Sequence, residues 1–409
     1  MSKSFDVIIV GAGMVGASLA LLLRQCMSKG LSVALIDEHE VRMSDAQQPS
    51  FDDRTTALSL GTQRIFERLS LWPKLRTHSC PIEHIQVSQQ GQFGRVRLHA
   101  KDESVASLGS VIPNRALGQS LSQALLQSDG LTIFAPAIVE TYEMSAQGAQ
   151  LTLKQGEKVQ HLQGALLVLA DGVNSAGCQQ LGIPQKRHDY GQAALICNVS
   201  FDRPHEHWAF ERFTQGGPLA LLPMQGNRFA LVWCMPHENV QEHLALDEAQ
   251  FNQRLQNKIG FDKGRILKSG ERSCYPLALT QASEQVRRHL VVLGNAAHGL
   301  HPVAGQGFNL ALRDANELAK NIEDTYLHQG ADQLGELKHL LNYQQAQQGD
   351  QAMTINLSHH LPTQFAQAGS TWSVLRALGL TAMDTLPVTK TMFARQAMGL
   401  VGASQAWQP

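Results

Sequence analysis

The stretch FDVIIVGAGMVGASLALLLRQ, residues 5–25, decides how the chain is read. A buried-looking apolar run stops at a glycine turn, and a helix rich in Ala and Leu follows. Gly11, Gly13 and Gly16 set the spacing G-x-G-x-x-G. The first glycine allows the tight turn, the second lets backbone approach a pyrophosphate, and the third lets helix and strand pack closely. The helix start then offers free N–H groups to phosphate.

A second strand, LSVALID at residues 31–37, closes on Asp37, 21 positions after Gly16. An acid there accepts a ribose hydroxyl. Glu38 follows directly and is the alternative; Asp37 is preferred because it ends the strand. To this point NAD and FAD fit equally.

Two later segments favour the longer cofactor. ALLVLADGVNSAGCQQLGI, residues 165–183, is another buried strand, ending at Asp171-Gly172. VVLGNAAHGLHPVAGQGFNLALRDA, residues 291–315, is a strand stopping at Gly294-Asn295, then a glycine-rich loop and a helix start. Three strand-to-loop junctions spread over the chain suit an extended dinucleotide with separate contacts for adenosine, pyrophosphate, ribityl chain and ring. Gly305, Gln306 and Gly307 lead into a helix beginning near Phe308 and Asn309, whose free N–H groups and positive end favour negative charge.

Bulk composition agrees. With 409 residues, 43% hydrophobic, 17% charged and a net charge of −1, the chain has ample core and no basic surplus for nucleic acid. Six cysteines (26, 80, 178, 197, 234 and 274) contain no C-x-x-C pair, which points to reduced, buried thiols rather than a disulfide or metal framework. The N-terminal residues enter a strand at once, so no signal peptide is expected and a cytoplasmic protein is. No apolar run reaches 18 residues, so membrane contact is expected to be peripheral.

The trio GAGMVG, ADGVNS and GNAAHGLHPVAGQGFN resembles the class A flavoprotein monooxygenases of the p-hydroxybenzoate hydroxylase fold. Within it the chain is similar to the ubiquinone-biosynthesis hydroxylases. DDRTTALSLGTQRIF (52–66), FERFTQGGPLALLPM (210–224), RFALVWC (228–234) and SCYPLALT (273–280) carry the likeness to about residue 345. The resemblance implies a mixed α/β fold. A Rossmann-like FAD domain is expected over residues 1–75, 101–178 and 275–345. A β-sheet substrate domain would fill 76–100 and 179–274, and helices 346–409.

It further implies non-covalent FAD, with NAD(P)H as transient co-substrate and O2. The reaction would take a 2-polyprenyl-6-methoxyphenol to 2-polyprenyl-6-methoxy-1,4-benzoquinol, in company with other ubiquinone-biosynthesis proteins. By position, Arg54 and Arg115 match arginines near the FAD phosphates, and Val139 matches a backbone contact to adenine. Pro302, Gly305, Gln306, Gly307, Phe308 and Asn309 match the flavin loop and helix start. Asn295 stands where most relatives carry Asp; an amide oxygen accepts the same ribityl hydroxyl without charge assistance, and this branch shares the Gly-Asn step.

His298 and His301 are candidates for moving the phenol proton. Their i, i+3 spacing lacks a third ligand, so no metal is expected. Phe213, Leu222, Pro223 and Trp233 are candidates for an isoprenoid tunnel. Trp372, Leu375, Leu378 and Leu380 form a broken apolar stripe suited to packing on the catalytic body, or to docking on lipid or partner proteins. No W-x-W-x-I-P run of flavin halogenases occurs. A reductase without oxygen transfer, another flavin aromatic hydroxylase, or an FAD-binding assembly subunit without turnover stays open.

Overall fold

The computed structural model describes residues 2–41, 54–301, 305–366, 384–385 and 387–400. Pro302 and the stripe at 372–380 lie outside them. The fold is mixed α/β, built on two large sheets and a small third one.

The first sheet has a parallel core. Lys3–Val10 lies between Val33–Ile36 and Lys158–Leu169, which Leu131–Phe134 and Leu290–Val292 extend on either side. These strands are nearly continuous apolar runs because both of their faces are covered. One face meets the helices Met14–Leu22, Asn114–Leu126 and Gln306–Gln329 through Leu19, Leu121 and Leu312. The other meets an antiparallel meander, Ile138–Ser145 and Gly148–Gln155, through Tyr142, Leu151 and Leu153.

The second sheet is a largely antiparallel roof. Its order runs from His298–Gly299 through Ser273–Ala282, Gln185–Phe201, Arg228–Pro236, Gly217–Met224, Trp208–Thr214 and His84–Gln89 to Arg95–His99. His84–Gln89 with Arg95–His99, and Gly217–Met224 with Arg228–Pro236, form antiparallel hairpins within it. Ser273–Ala282 crosses the boundary expected at residue 275, and the flavin-loop residues His298 and Gly299 pair with Gln281 and Thr280 as the roof's edge. Cys80–Ile82 instead joins Gly109–Pro113 and Thr55–Ser59 in the three-stranded sheet.

Side-chain alternation gives the roof two faces. Leu195, Leu231, Trp233 and Phe229 face the helices His237–Ala245 and Glu248–Ile259. Ala194, Cys234 and Leu277 form a cluster on the opposite face, where Arg54 stacks on Tyr275, 4.7 Å from the ring centroid. A buried ion pair, Arg313 Nε to Asp350 Oδ2 at 2.6 Å, ties Gln306–Gln329 to the long helix Leu337–Ala366. Gly61 N–H donates to the Met398 carbonyl, holding the end of the described chain to the helix Leu60–Arg68. All six cysteines are free thiols, five of them buried.

Candidate functional site

A cavity of about 460 Å³ opens where the parallel strands end. Gly11, Gly13, Asp37, Glu38, Val139, Asp171, Gly172, Asn295 and Phe308 all line it. Residues nearly 300 positions apart in sequence therefore meet at one cleft. His39, Met14 and Tyr142 also line it and were not anticipated. His39 carried a usable signal, since it follows the strand-closing acid by two positions.

Backbone geometry accounts for a glycine at positions 11 and 16. Gly11 has φ +102°, and a Cβ there would lie 2.4 Å from the Ala170 carbonyl oxygen. A Cβ on Gly16 would lie 1.9 Å from the Gly11 oxygen, so this position serves helix–strand packing and stands behind the cavity. Gly13 caps Met14–Leu22 in extended conformation without any side-chain cap, leaving the first helical N–H groups facing the cleft.

Asp37, with its side chain 10% exposed, is more enclosed than Glu38 at 68%. Its Oδ2 accepts the Ala12 N–H at 2.6 Å and its Oδ1 accepts the His39 N–H at 2.8 Å. Each carboxylate oxygen retains a lone pair for a sugar hydroxyl. Burial pushes the Asp171 carboxyl above the usual range. Its Oδ1 is buried with no hydrogen-bond partner. An orphaned acceptor at a cavity wall calls for a donor from a ligand.

Asn295 sits in the short 3-10 turn Gly294–Ala296, exposed toward the cleft. Gly305, with φ +61°, caps the helix Gln306–Gln329. Asn309 is buried and acts as a clamp: its amide donates to the Ala57 and Gly305 carbonyls at 2.8 and 2.7 Å and accepts the Ser59 N–H at 2.8 Å. It positions the helix start on the strand Thr55–Ser59. Gln306 and Gly307 occupy the first turn. Arg54 immediately precedes the strand Thr55–Ser59 and Arg115 is the second residue of the helix Asn114–Leu126, both outside the lining of this cavity.

The two histidines separate in role. His298 is buried with Nε2 2.9 Å from Asp314 Oδ2, a close polar contact outside linear hydrogen-bond geometry that anchors the loop to the helix. His301 is fully buried, and burial lowers its pKa to about 4, which keeps it neutral. Its ring meets the edge of Tyr190 at 5.1 Å, and Tyr190 Oη lies 3.0 Å from His359 Nδ1. Tyr190 and His359 were missed because only the fold brings them to residue 301.

Two tunnel candidates need correction. Trp233 packs on the roof's outer face against His243 and Phe251, and Pro223 pairs with Phe229 on that same face. Both point away from the flavin side. Leu222 faces inward with Ile82, Val111 and Ala209, and Phe213 packs with Val87, Leu98 and Met398.

Among the described residues, one group has metal-ligand character: Cys80, His205 and His207. His205 Nδ1 already accepts the His207 N–H at 3.0 Å while Nε2 donates to the Met224 carbonyl at 2.8 Å. No lone pair is left on that ring for a metal.

Comparison with known proteins agrees with this geometry. The FAD binding domain family matches residues 4–343. The ubiquinone hydroxylase UbiL of Rhodospirillum rubrum is 34% identical over 401 residues, covering 97% of this chain and 90% of the relative. The chain belongs to the FAD-dependent ubiquinone hydroxylase family.

A second member, the 3-demethoxyubiquinol 3-hydroxylase of Escherichia coli, is 27% identical over 406 residues, covering 97% of this chain and 98% of the relative. Among solved structures, the probable FAD-dependent monooxygenase PqsL of Pseudomonas aeruginosa superposes with a TM-score of 0.76 at 22% identity. That match covers 92% of this chain and all of PqsL, and it speaks for the fold. Membership makes the chain an FAD-dependent monooxygenase using NAD(P)H and O2. FAD fits the residues present: the uncapped helix start at Gly13 faces where a pyrophosphate would lie, and Asp171 Oδ1 lacks the donor that a cofactor hydroxyl would supply.

Proposed function

We propose that the chain hydroxylates the ring of a polyprenylated phenol, taking a 2-polyprenyl-6-methoxyphenol to the corresponding 1,4-benzoquinol. Bound FAD supplies the chemistry, accepting hydride from NAD(P)H and activating O2 for transfer to an electron-rich ring. The protein's own part is to bind, orient and exclude water. Asp37 would hold the ribose, Gly11 and Gly13 the pyrophosphate with Arg54 and Arg115 nearby, Val139 the adenine, and Asn295 the ribityl chain. The helix start at Gly305–Asn309 would face the ring with its positive end, and Pro302 would belong to the same loop. Leu222, on the inward face of the roof, is the tunnel candidate best placed for the isoprenoid.

One observation carries this reading: the roof and the flavin loop are joined through His298 and Gly299, so a ring held under the sheet lies against the loop. His301 and Tyr190 stand at that junction. A polyprenyl substrate also favours peripheral contact with a lipid surface and with other ubiquinone-biosynthesis proteins. Among the described residues no helix is long and apolar enough to cross a membrane.

The test is mass spectrometry of quinone precursors accumulating when the gene is deleted, paired with NAD(P)H oxidation by purified protein. Accumulation of the polyprenyl methoxyphenol, with its conversion in vitro, is expected. Accumulation of a precursor lacking a different ring hydroxyl would reassign the position, the E. coli relative being named for position 3.

A further inference from the structure

The roof's outer face carries a second cavity, of about 640 Å³, remote from the nucleotide cleft. Its floor comes from three adjacent strands whose register sets Phe210 beside Gln86 and Gln86 beside Arg97. Alternation puts Trp208 and Phe210 on this face, with Arg95 and Arg97 two residues apart on the edge strand, while Val87, Val96 and Leu98 point the other way into core. Trp208 and Phe210 lie nearly parallel, 12° between planes and 5.9 Å between centroids, as one aromatic wall.

The charge around this wall is net positive. Arg95, Arg97, Arg203 and Lys263 line the cavity against Glu206 and Asp262. Arg254, Arg287, Arg288 and Arg313, by contrast, each hold a carboxylate. Among the described residues none of the four groove cations has one within ion-pair distance. Arg97 Nε donates to Gln86 Oε1 at 3.3 Å and its backbone N–H to Asp384 Oδ1 at 2.9 Å, and Lys263 Nζ sits 4.3 Å from the centroid of the Phe210 ring. Like charges gathered in a concave site focus positive potential on whatever enters.

Aromatic wall and unpaired cations together select a ligand with a planar ring at one end and several negative charges at the other. We propose that this groove binds a nucleoside diphosphate, its base against Trp208 and Phe210 and its phosphates on Arg95, Arg97 and Arg203. Phe229, which also lines the groove, belongs to the sheet face turned from Arg54 and Tyr275. A nucleotide here is therefore no hydride donor to the flavin, and the site is independent of the monooxygenase reading.

The experiment titrates FAD-saturated, full-length protein with ADP by calorimetry, with adenosine and inorganic pyrophosphate as separate arms. ADP is expected to saturate one site and to bind more tightly than either fragment. The double variant Arg95→Ala/Arg203→Ala changes two exposed side chains and should weaken ADP by roughly tenfold or more. Trp208→Leu should bring ADP down to the pyrophosphate level. FAD content and NAD(P)H oxidation should stay as in wild type for both. No saturation would overturn the proposal. So would pyrophosphate binding as tightly as ADP, which means a bare anion patch, or ADP affinity unmoved by both variants, which places the nucleotide elsewhere.

Discussion

Asp37 holds the Ala12 N–H at 2.6 Å, so the acid that closes the second strand also fixes the middle of the glycine turn. Sugar recognition and phosphate-loop shape thus share one side chain. Asp37→Ala should lose both, weakening FAD by about 1.5–3 kcal/mol, or roughly 10- to 150-fold. Asp37→Asn keeps an acceptor and should fall between. Flavin fluorescence titration of both variants checks the order; equal affinities would remove Asp37 from the site.

Asn295 is exposed at the cleft, where its amide oxygen can accept a hydroxyl. Asn295→Asp should retain FAD, whereas Asn295→Leu should cost about 1 kcal/mol or more, roughly fivefold in dissociation constant. Both are read in one buffer. Identical, unchanged values would reduce Asn295 to a strand terminator.

Gly11→Ala tests the turn itself. The added Cβ meets the Ala170 carbonyl at 2.4 Å, with φ at +102°. Local strain and displacement of the strand end should destabilise by on the order of 3 kcal/mol and abolish FAD uptake. Thermal unfolding and flavin content are the readouts. A wild-type melting temperature would refute the packing described.

His301 predicts an acid limb. Its folded pKa is about 4 against an ordinary 6.5. Between those values the unfolded chain binds the proton and the folded one does not, so stability is complete above pH 6.5 and declines as pH falls toward 4. The decline attributable to this ring is on the order of 2–4 kcal/mol. Urea unfolding at stepped pH should show a shallower slope for His301→Gln. An unchanged slope in the variant would assign the acid sensitivity to other groups.

Much of the cleft was legible because its parts are local motifs at strand ends. Gly11, Gly13, Asp37, Asp171 and Asn295 each terminate an apolar run, and parallel strands that end together bring their termini together. The tunnel assignments were less secure for a physical reason. Arg228–Pro236 is buried on both faces over most of its length, so its period-two signal vanishes and Trp233 cannot be phased from sequence. Tyr190 and His359 were invisible because a bulge between Asp189 and Gln192 re-aims that strand, and no local pattern ties residue 190 to a helix ending at 366.

The pairing of His298 and Gly299 with Thr280 and Gln281 makes the roof and the flavin loop a single mechanical member. His298 Nε2 also lies 2.9 Å from Asp314 Oδ2 on the helix Gln306–Gln329, so a load placed under the sheet would be passed to that helix as a change in the local field. The yellow of the bound cofactor would then serve as a gauge, its absorption bands shifting when the ring seat is filled, before any electron has moved.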